Sequence, residues 1–172
     1  MSLQDISNLA LGRNDQVVEL QTSEEHRAAT LALITQTQRS ITIFTRDLDA
    51  KIFGDAEIVD AIKDLVLSSR QSKVRIITQS ISRIVSRGHR LVDLYRRVPS
   101  YMDIRLPAKE HRAYNCAFLV SDRTGVIFQI HADRYEGTAN FSDKTNAENL
   151  SNQFEEMWEV AHRPPDLRAL SV

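Results

Sequence analysis

AYNCAFLVSDRTGVIFQIHADRYEGTANF, residues 113–141, is the most informative stretch of this sequence. Residues 113–122 predict a strand, and Asp-Arg-Thr-Gly at 122–125 is typical of a tight turn. Residues 126–131 predict the returning strand of a hairpin. We interpret the Gly-Thr-Ala-Asn segment at 137–140 as a loop in which a glycine lets the backbone approach a ligand. The stretch therefore predicts a β-hairpin followed by a polar loop.

The first strand of this hairpin is predicted to have two different faces, because alternate side chains of a strand point to opposite sides. The core-like face holds Tyr114, Cys116, Phe118 and Val120. The other face holds Asn115, Ala117, Leu119 and Ser121. A polar residue begins the second face, so we expect that face to open into a pocket at its start.

The rest of the chain alternates between helical and extended patterns. The predicted elements are a short strand at 17–20, a helix at 23–38, a strand at 40–45, a helix near 55–69, a strand at 73–79, a basic helix at 80–98, a short strand at 102–106 and a helix at 145–161. This order predicts an α/β fold with a mixed, mainly parallel sheet flanked by helices.

The length and composition fit a single domain. The chain has 172 residues, 42% hydrophobic and 26% charged, which is enough for one core. We divide it into an N-terminal extension at 1–21, a domain at 22–165 and a C-terminal tail at 166–172. No apolar run is long enough to span a membrane, and the N-terminus does not resemble a signal peptide. Cys116 is the only cysteine, which excludes an intramolecular disulfide and favours a cytoplasmic location.

The charges are distributed unevenly, although the net charge is only −1. Residues 1–69 carry 6 Lys/Arg against 11 Asp/Glu, residues 70–112 carry 11 against 3, and residues 113–172 carry 5 against 9. The middle segment therefore has a net charge of +8 between two acidic segments. Such asymmetry indicates an anionic partner, or else a solvated basic helix balanced by its own acidic neighbours.

The basic helix at 80–98 supplies the candidate nucleic-acid contacts. Arg83, Arg87, Arg90 and Arg97 are spaced to form one stripe along such a helix, and Arg112 lies further along the same basic segment. Several phosphate contacts from such a stripe would give salt-sensitive binding with little sequence preference. Aromatic residues make up only 6% of the chain, which argues against extensive base stacking.

The ordered motifs resemble those of the phospholipase D superfamily. The signature of that family is His-x-Lys, four residues, Asp, and later Gly-Ser-x-Asn. Here the frame is Asn115-Cys116-Ala117, four residues and Asp122, followed by Gly137-Thr138-Ala139-Asn140. The resemblance covers roughly residues 22–162, and it implies a single copy of the phospholipase D-like domain. The interval from Asp122 to Gly137 is longer than the family pattern has.

The resemblance implies that family-type catalysis is lost. In the family, a histidine attacks phosphorus, a lysine and an asparagine hold the phosphate oxygens, and a second motif copy supplies the acid. Asn115 stands at the histidine position, and its amide nitrogen is neither basic nor nucleophilic. Ala117 stands at the lysine position and brings no charge. We therefore predict no catalytic residue of the family kind, no cofactor and no metal site.

The remaining polar groups still suit an anion. The candidate phosphate-binding residues are Asn115, Gly137, Thr138, Asn140, His131, Arg134 and Arg46. Arg46 follows a predicted buried strand, at the strand end where α/β sheets bind ligands, although an ion pair with Asp47 or Asp49 is an alternative role. Asn115 could instead tie down backbone.

Three functional hypotheses remain open from the sequence. The first is a catalytically inactive domain that binds nucleic acid or another polyanion, as a homodimer because single-motif family members pair. The second is a phosphodiesterase or nuclease that uses His131, or less favourably His111, as the nucleophile. The third is an interaction or regulatory module whose basic stripe meets an acidic protein partner. No membrane partner is expected in any of the three.

Overall fold

A computed structural model describes residues 1–165 and residue 167 of the chain. Its helices are α1 Leu3–Ser7, α2 Ser23–Gln36, α3 Ala56–Ser68, α4 Ser82–Arg87, α5 Arg90–Arg97 and α6 Lys144–Val160, with a 3₁₀ turn at Lys109–His111. Its strands are β1 Val18–Leu20, β2 Ser40–Thr45, β3 Lys73–Thr78, β4 Met102–Arg105, β5 Ala117–Ser121, β6 Gly125–Gln129 and β7 Gly137–Asn140. The predicted tail at 166–172, apart from Leu167, lies outside these residues.

The seven strands form one mixed sheet in the order β1-β7-β6-β5-β2-β3-β4. The pairs β2–β3 and β3–β4 are parallel, and the other four neighbouring pairs are antiparallel. The mixed α/β architecture is therefore confirmed, but the expectation of a mainly parallel sheet was wrong. Helices connect β1, β2, β3 and β4 along the chain. A tight turn and a short connection join β5, β6 and β7 into a meander.

The two faces of the sheet are covered by different helices. One face packs against α1, α2, α3 and α5 around buried residues such as Ile6, Leu33, Ile43, Ile76 and Ile127. The opposite face packs against α6 through Phe44, Ile77, Phe118, Phe154 and Met157. Both faces of β5 are consequently buried, which corrects the expectation that only one of them is core-like.

Side-chain caps fix where the helices begin. Thr22 Oγ1 accepts a hydrogen bond from Glu25 N at 3.1 Å, and Glu25 Oε1 accepts one from Thr22 N at 3.2 Å. This reciprocal pair is a capping box, which the Thr-x-x-Glu spacing at 22–25 predicts from the sequence. Asp55 caps α3 by accepting from the backbone of Glu57 and Ile58 at 3.0 and 3.2 Å, and an aspartate directly before a helical pattern predicts such a cap.

Asp55→Ala is expected to lower the free energy of unfolding by about 2 kcal/mol, because it removes the cap and leaves Arg27 without its bidentate partner. The hydrogen bond from Arg27 lowers the pKa of Asp55, so this stabilisation is fully present above the ordinary carboxyl pKa and is lost as the pH falls from there through the lowered pKa of the folded state. Thermal melts from pH 7 to pH 3 measure the effect. Asp55→Asn keeps the cap acceptor and should lose the pH dependence but only part of the stability; equal losses would contradict this account.

The predicted basic helix at 80–98 is two helices. Gly88 adopts a left-handed φ of 74° between α4 and α5, and His89 caps α5 by accepting from Leu91 N at 3.1 Å. A glycine at a positive φ ends a helix, so the break is encoded in the chain itself. The single arginine stripe is therefore wrong. Arg83 and Arg87 lie on α4, and Arg90 and Arg97 lie on α5.

The 113–141 stretch folds as a hairpin with one additional strand. The β5–β6 hairpin confirms the sequence prediction, although β5 begins only at Ala117. The Gly-Thr-Ala-Asn segment is strand β7 rather than a loop, because the chain reverses within residues 130–136 and pairs antiparallel with β6. Gly137 is needed for this pairing, since an added Cβ would collide with Phe128 O.

The N-terminal residues join the same core as the rest of the chain. Helix α1 was not predicted, although Ser2 and Asp5 form a second capping box. Ile6 is fully buried, and β1 forms one edge of the sheet. The domain boundaries proposed from the sequence stay a prediction. In residues 1–165 and 167, no helix is both long and apolar enough to cross a membrane.

Candidate functional site

The candidate site lies at the carboxyl ends of the parallel strands β2 and β3. Because β5 runs antiparallel to β2, the start of β5 lies beside these ends, and so does the end of β6. Crevices at the carboxyl ends of parallel strands are the usual ligand sites of α/β sheets. A cavity of about 540 Å³ opens here. Its lining includes His26, Arg46, Asp49, Arg83, Gln129, Arg134 and Tyr135.

Cationic side chains outnumber anionic ones around this cavity. Arg46, Lys51, Arg83 and Arg134 face the carboxylates of Asp47, Asp49 and Asp133. The closest cation–carboxylate pairs are long: 3.9 Å from Arg46 Nη1 to Asp133 Oδ2 and 3.6 Å from Arg83 Nη1 to Asp47 Oδ2. Exposed pairs of this length contribute little stability, so both guanidinium groups can turn towards an anionic ligand.

A hydrogen-bonded tie joins two of the cavity walls. Tyr135 Oη donates to Asp49 Oδ2 at 2.5 Å, and Asp49 Oδ1 accepts from Lys51 N at 3.0 Å. Burial and the neighbouring Asp49 carboxylate both raise the pKa of Tyr135, so its hydroxyl stays protonated and remains a donor. Asp49 is thus committed to neighbours within the protein.

His26 forms part of the cavity floor and is 5% exposed. Thr30 Oγ1 donates to His26 O at 2.8 Å, so its 3.4 Å contact with His26 Nδ1 requires the proton to be on Nδ1. Nε2 then carries a lone pair, and it has no hydrogen-bond partner among the described residues. Burial lowers the pKa of His26, which keeps the ring neutral near pH 7.

A second buried histidine holds the loop that forms one cavity wall. His89 Nδ1 accepts from Leu91 N, so the ring proton is on Nε2 and is donated to Leu48 O at 2.8 Å. Leu48 has a φ of 52°, which costs energy for a non-glycine residue. The His89 bond therefore helps to hold residues 46–49 in a strained turn at the cavity.

Asn115 and Asn140, which the sequence suggested as partners on one phosphate, are not brought together. Asn115 is exposed and precedes β5, where its backbone oxygen accepts from Ala132 N at 2.7 Å. Asn140 pairs with Val126 at the start of β6, whereas Ala117 pairs with Gln129 at its end. Val126 and Gln129 are three residues apart, so the two asparagines are separated by at least roughly 10 Å along the strand direction. Asn140 Nδ2 donates instead to Asp15 O at 3.0 Å.

A second cavity, of about 850 Å³, gathers other predicted phosphate ligands. His131, Arg134, Gly137 and Thr138 all line it, beside β1. Arg134 lines both cavities, whereas His131 does not line the first. His111 lies in the 3₁₀ turn before β5 and stacks on Tyr114 with 5.7 Å between ring centroids.

The predicted nucleic-acid-binding arginines are exposed but dispersed. Arg83 lines the first cavity, and Arg90 donates from Nη1 to Gly54 O at 3.4 Å, next to the Phe53 wall of that cavity. Arg87, Arg97 and Arg112 are exposed on α4, on α5 and in the turn before β5. The cavity thus draws on Arg83 and, at its rim, on Arg90.

The family match covers most of the chain. The family described as "Domain of unknown function (DUF7931)" matches residues 22–170. The chain belongs to this family. No curated protein has a matching sequence.

Solved structures show which fold this DUF7931 chain has. TrmBL2, an archaeal chromatin protein, superposes with a TM-score of 0.62 at 16% identity over 87% of this chain and 54% of its own. NucT from Helicobacter pylori gives 0.61 at 18% identity, over 87% and 99% of the two chains. Nuc from Salmonella typhimurium, a phospholipase D family member, gives 0.59 at 13% identity over the same shares. The DUF7931 chain spans about half of TrmBL2 and nearly all of NucT and Nuc, and its phospholipase D-like fold is confirmed.

Sequence reasoning missed several side chains of this DUF7931 site. Lys51 and Asp49 follow β2 at a strand end, so the rule that pointed to Arg46 could also have pointed to them. Tyr135 lies in the segment that lengthens the interval after Asp122. Nothing in the sequence marks His26, which is one of many buried residues on α2. Among the described residues, no group of three or more His, Cys, Asp or Glu side chains is placed to hold a metal ion.

Proposed function

We propose that this DUF7931 chain binds nucleic acid through phosphate contacts at the first cavity, without phosphoryl-transfer chemistry of the phospholipase D kind. The observation that carries the proposal is the convergence of Arg46, Lys51, Arg83 and Arg134 at the carboxyl ends of the parallel strands. TrmBL2, which has a similar fold, is a chromatin protein whose structure shows a mode of DNA binding.

The electrostatics of the cavity favour a polyanion. Arginine side chains form charge-assisted, often bidentate hydrogen bonds with phosphate oxygens. Arg46 and Arg83 have side chains that are 53% and 73% exposed, so each can reach a ligand outside the protein surface. Every phosphate that such a group neutralises releases counterions, which makes binding strong at low salt and weak at high salt.

The residues at and just before the start of β5 support the proposed absence of family-type catalysis. Asn115 offers an amide and Ala117 a methyl group, where the family chemistry needs an imidazole and an ammonium group. His131 and His111 lie outside the first cavity, and the floor residue His26 has its Nε2 atom buried. The cavity therefore binds its ligand without cleaving it.

A homodimer is part of the same proposal. A single motif copy supplies one cavity per chain, and pairing two copies would place two cationic cavities on one nucleic acid. Two linked sites raise the overall affinity through their effective concentration. Sedimentation equilibrium over a range of protein concentrations tests the pairing directly.

The triple variant Arg46→Ala/Arg83→Ala/Arg134→Ala is expected to weaken DNA binding about tenfold to a hundredfold and to reduce the salt slope by about 2 to 3, because three phosphate contacts are lost. Fluorescence anisotropy with single- and double-stranded DNA at several salt concentrations measures both quantities. The matched control is Arg13→Ala/Arg39→Ala/Arg70→Ala, which removes the same charge from exposed positions. These positions lie near the amino ends of β2 and β3, away from the cavity.

Three outcomes would redirect the proposal. Equal loss in both triple variants would mean that binding depends on net charge alone and not on the cavity. Turnover of a chromogenic phosphodiester by the native protein, abolished in His131→Ala, would instead support the phosphodiesterase hypothesis. Binding of an acidic protein partner that persists in high salt, with no DNA binding at low salt, would support the interaction module.

A further inference from the structure

We propose that the first cavity binds the terminal phosphate of a nucleic-acid strand, so that the chain prefers strand ends to internal segments. The inference rests on the proposed function and specifies which part of the nucleic acid enters the cavity. It is carried by the way in which the cavity is closed.

One hydrogen bond crosses the cavity between its opposite walls. Residues 46–53, which follow β2, form one wall, and residues 132–135, which follow β6, form the other. Tyr135 Oη donates to Asp49 Oδ2 across the gap, whereas the Arg46–Asp133 pair, at 3.9 Å, leaves the guanidinium free for a ligand. A continuous strand cannot pass between walls that are tied together in this way.

The floor of the cavity is closed as well. His26 is 5% exposed and packs edge-to-face with the Tyr135 ring, with 6.3 Å between the ring centroids. Gln129 continues the floor, and its amide donates to Arg134 O. A ligand therefore cannot leave through the floor.

The remaining side of the cavity carries polar groups that suit a phosphate. Ser80 lines it from the β3–α4 connection, and Ser82 and Arg83 line it from the start of α4. Ser80 Oγ and Ser82 Oγ are 3.0 Å apart, so one of the two hydroxyl protons remains available for a ligand oxygen. The Arg83 side chain is 73% exposed and can follow a phosphate into the cavity.

The size and charge of the cavity match the end of a strand. A volume of about 540 Å³ is typical of a pocket for one small molecule, which here corresponds to a single terminal nucleotide. A terminal phosphomonoester carries close to two negative charges at neutral pH, because its second pKa is about 6, whereas an internal phosphodiester carries one. The cationic side chains of the cavity exceed its three carboxylates by one, and Asp49 is already hydrogen-bonded to Tyr135, so the positive excess favours the more highly charged terminal group.

Four single-stranded DNA probes of one sequence test the inference: a 5′-phosphorylated strand, a 3′-phosphorylated strand, a strand with hydroxyl groups at both ends, and a ligated circle. We expect at least one phosphorylated strand to bind about tenfold more tightly than the hydroxyl-ended strand, which the circle should resemble; such a ratio corresponds to about 1.4 kcal/mol. A circle that binds as tightly as the phosphorylated strands would overturn the inference and leave the proposed function intact. Absence of binding by all four probes and by double-stranded DNA at low salt would overturn both.

Tyr135→Phe tests the closed wall itself, because it removes one tie without changing the charge or the shape of the cavity. We expect the variant to bind the circle more tightly than the native protein does, and to lose most of the preference for phosphorylated ends. Tyr101→Phe is the matched control, since Tyr101 precedes β4 at the amino ends of the parallel strands, away from the cavity. Thermal melts establish that both variants are folded. An unchanged preference in folded Tyr135→Phe would show that the tie does not exclude internal segments.

Discussion

Asp122→Ala is expected to lower the free energy of unfolding by about 3 kcal/mol and the melting temperature by about 6–12 °C. The Asp122 carboxylate accepts backbone hydrogen bonds from Gln38 and Arg39 at 2.8 Å and from Ser40 at 2.9 Å. Without it, three N–H groups at the start of the central strand β2 lose their partner. Asp122 also has a φ of 51°, which asparagine and aspartate tolerate better than alanine does.

Asp122→Asn separates these two contributions. Asparagine tolerates the left-handed conformation and keeps one acceptor oxygen, but it loses the charge and the second oxygen. We expect it to lose about half of the stability that alanine loses, as measured by urea unfolding. An alanine variant as stable as the native protein would show that water satisfies these N–H groups without cost.

Asp122 contributes to the fold but does not line the cavity. The resemblance of the 113–141 stretch to the phospholipase D signature includes this aspartate, and the fold that it implies is confirmed. In this chain, however, the carboxylate binds the backbone at the start of β2, whereas the cavity lies at the end of β2. Asp122 therefore has a structural role in this chain.

Local sequence signals predicted those elements that local contacts determine. The Thr22–Glu25 capping box, the Asp55 cap and the hairpin turn at 122–125 act over a few residues, so the sequence contains the whole interaction. The same kind of signal was present but missed at Ser2 and at Gly88. There, the polar start of a short helix and a lone glycine within a basic run looked unremarkable beside longer patterns.

Long-range pairing explains what sequence reasoning could not predict. The Gly-Thr-Ala-Asn segment, strand β7, pairs not only with the neighbouring β6 but also with β1, more than a hundred residues earlier. The cavity depends on contacts such as Tyr135 with Asp49, which are 86 positions apart. His26 became a site residue only because α2 packs over the end of β6. None of these relations leaves a periodic pattern in the chain.

Phe154→Ala is expected to lower the free energy of unfolding by about 4 kcal/mol, which is the largest effect that we predict. Phe154 is fully buried on α6, stacks on Trp158 with 5.5 Å between ring centroids, and lies under the Arg75 guanidinium at 5.4 Å. Its removal leaves a cavity between α6 and the sheet, and Arg75 and Trp158 lose their shared partner. Phe154→Leu keeps much of the volume and should cost less than half as much in urea unfolding.

The position of Phe154 makes this variant a test of whether packing on the α6 face of the sheet affects the cavity on the other face. Phe154 packs on the α6 face of the sheet, whereas His26 and Tyr135 lie on the face that α2 covers. Because β-strands present alternate residues to the two faces, the α6 face can lose packing while the cavity keeps its geometry. DNA affinity per folded molecule should therefore equal that of the native protein at temperatures well below the melting point. A parallel loss of affinity would show that the α6 face also shapes the site, in addition to the segments after β2, β3 and β6 that line the cavity.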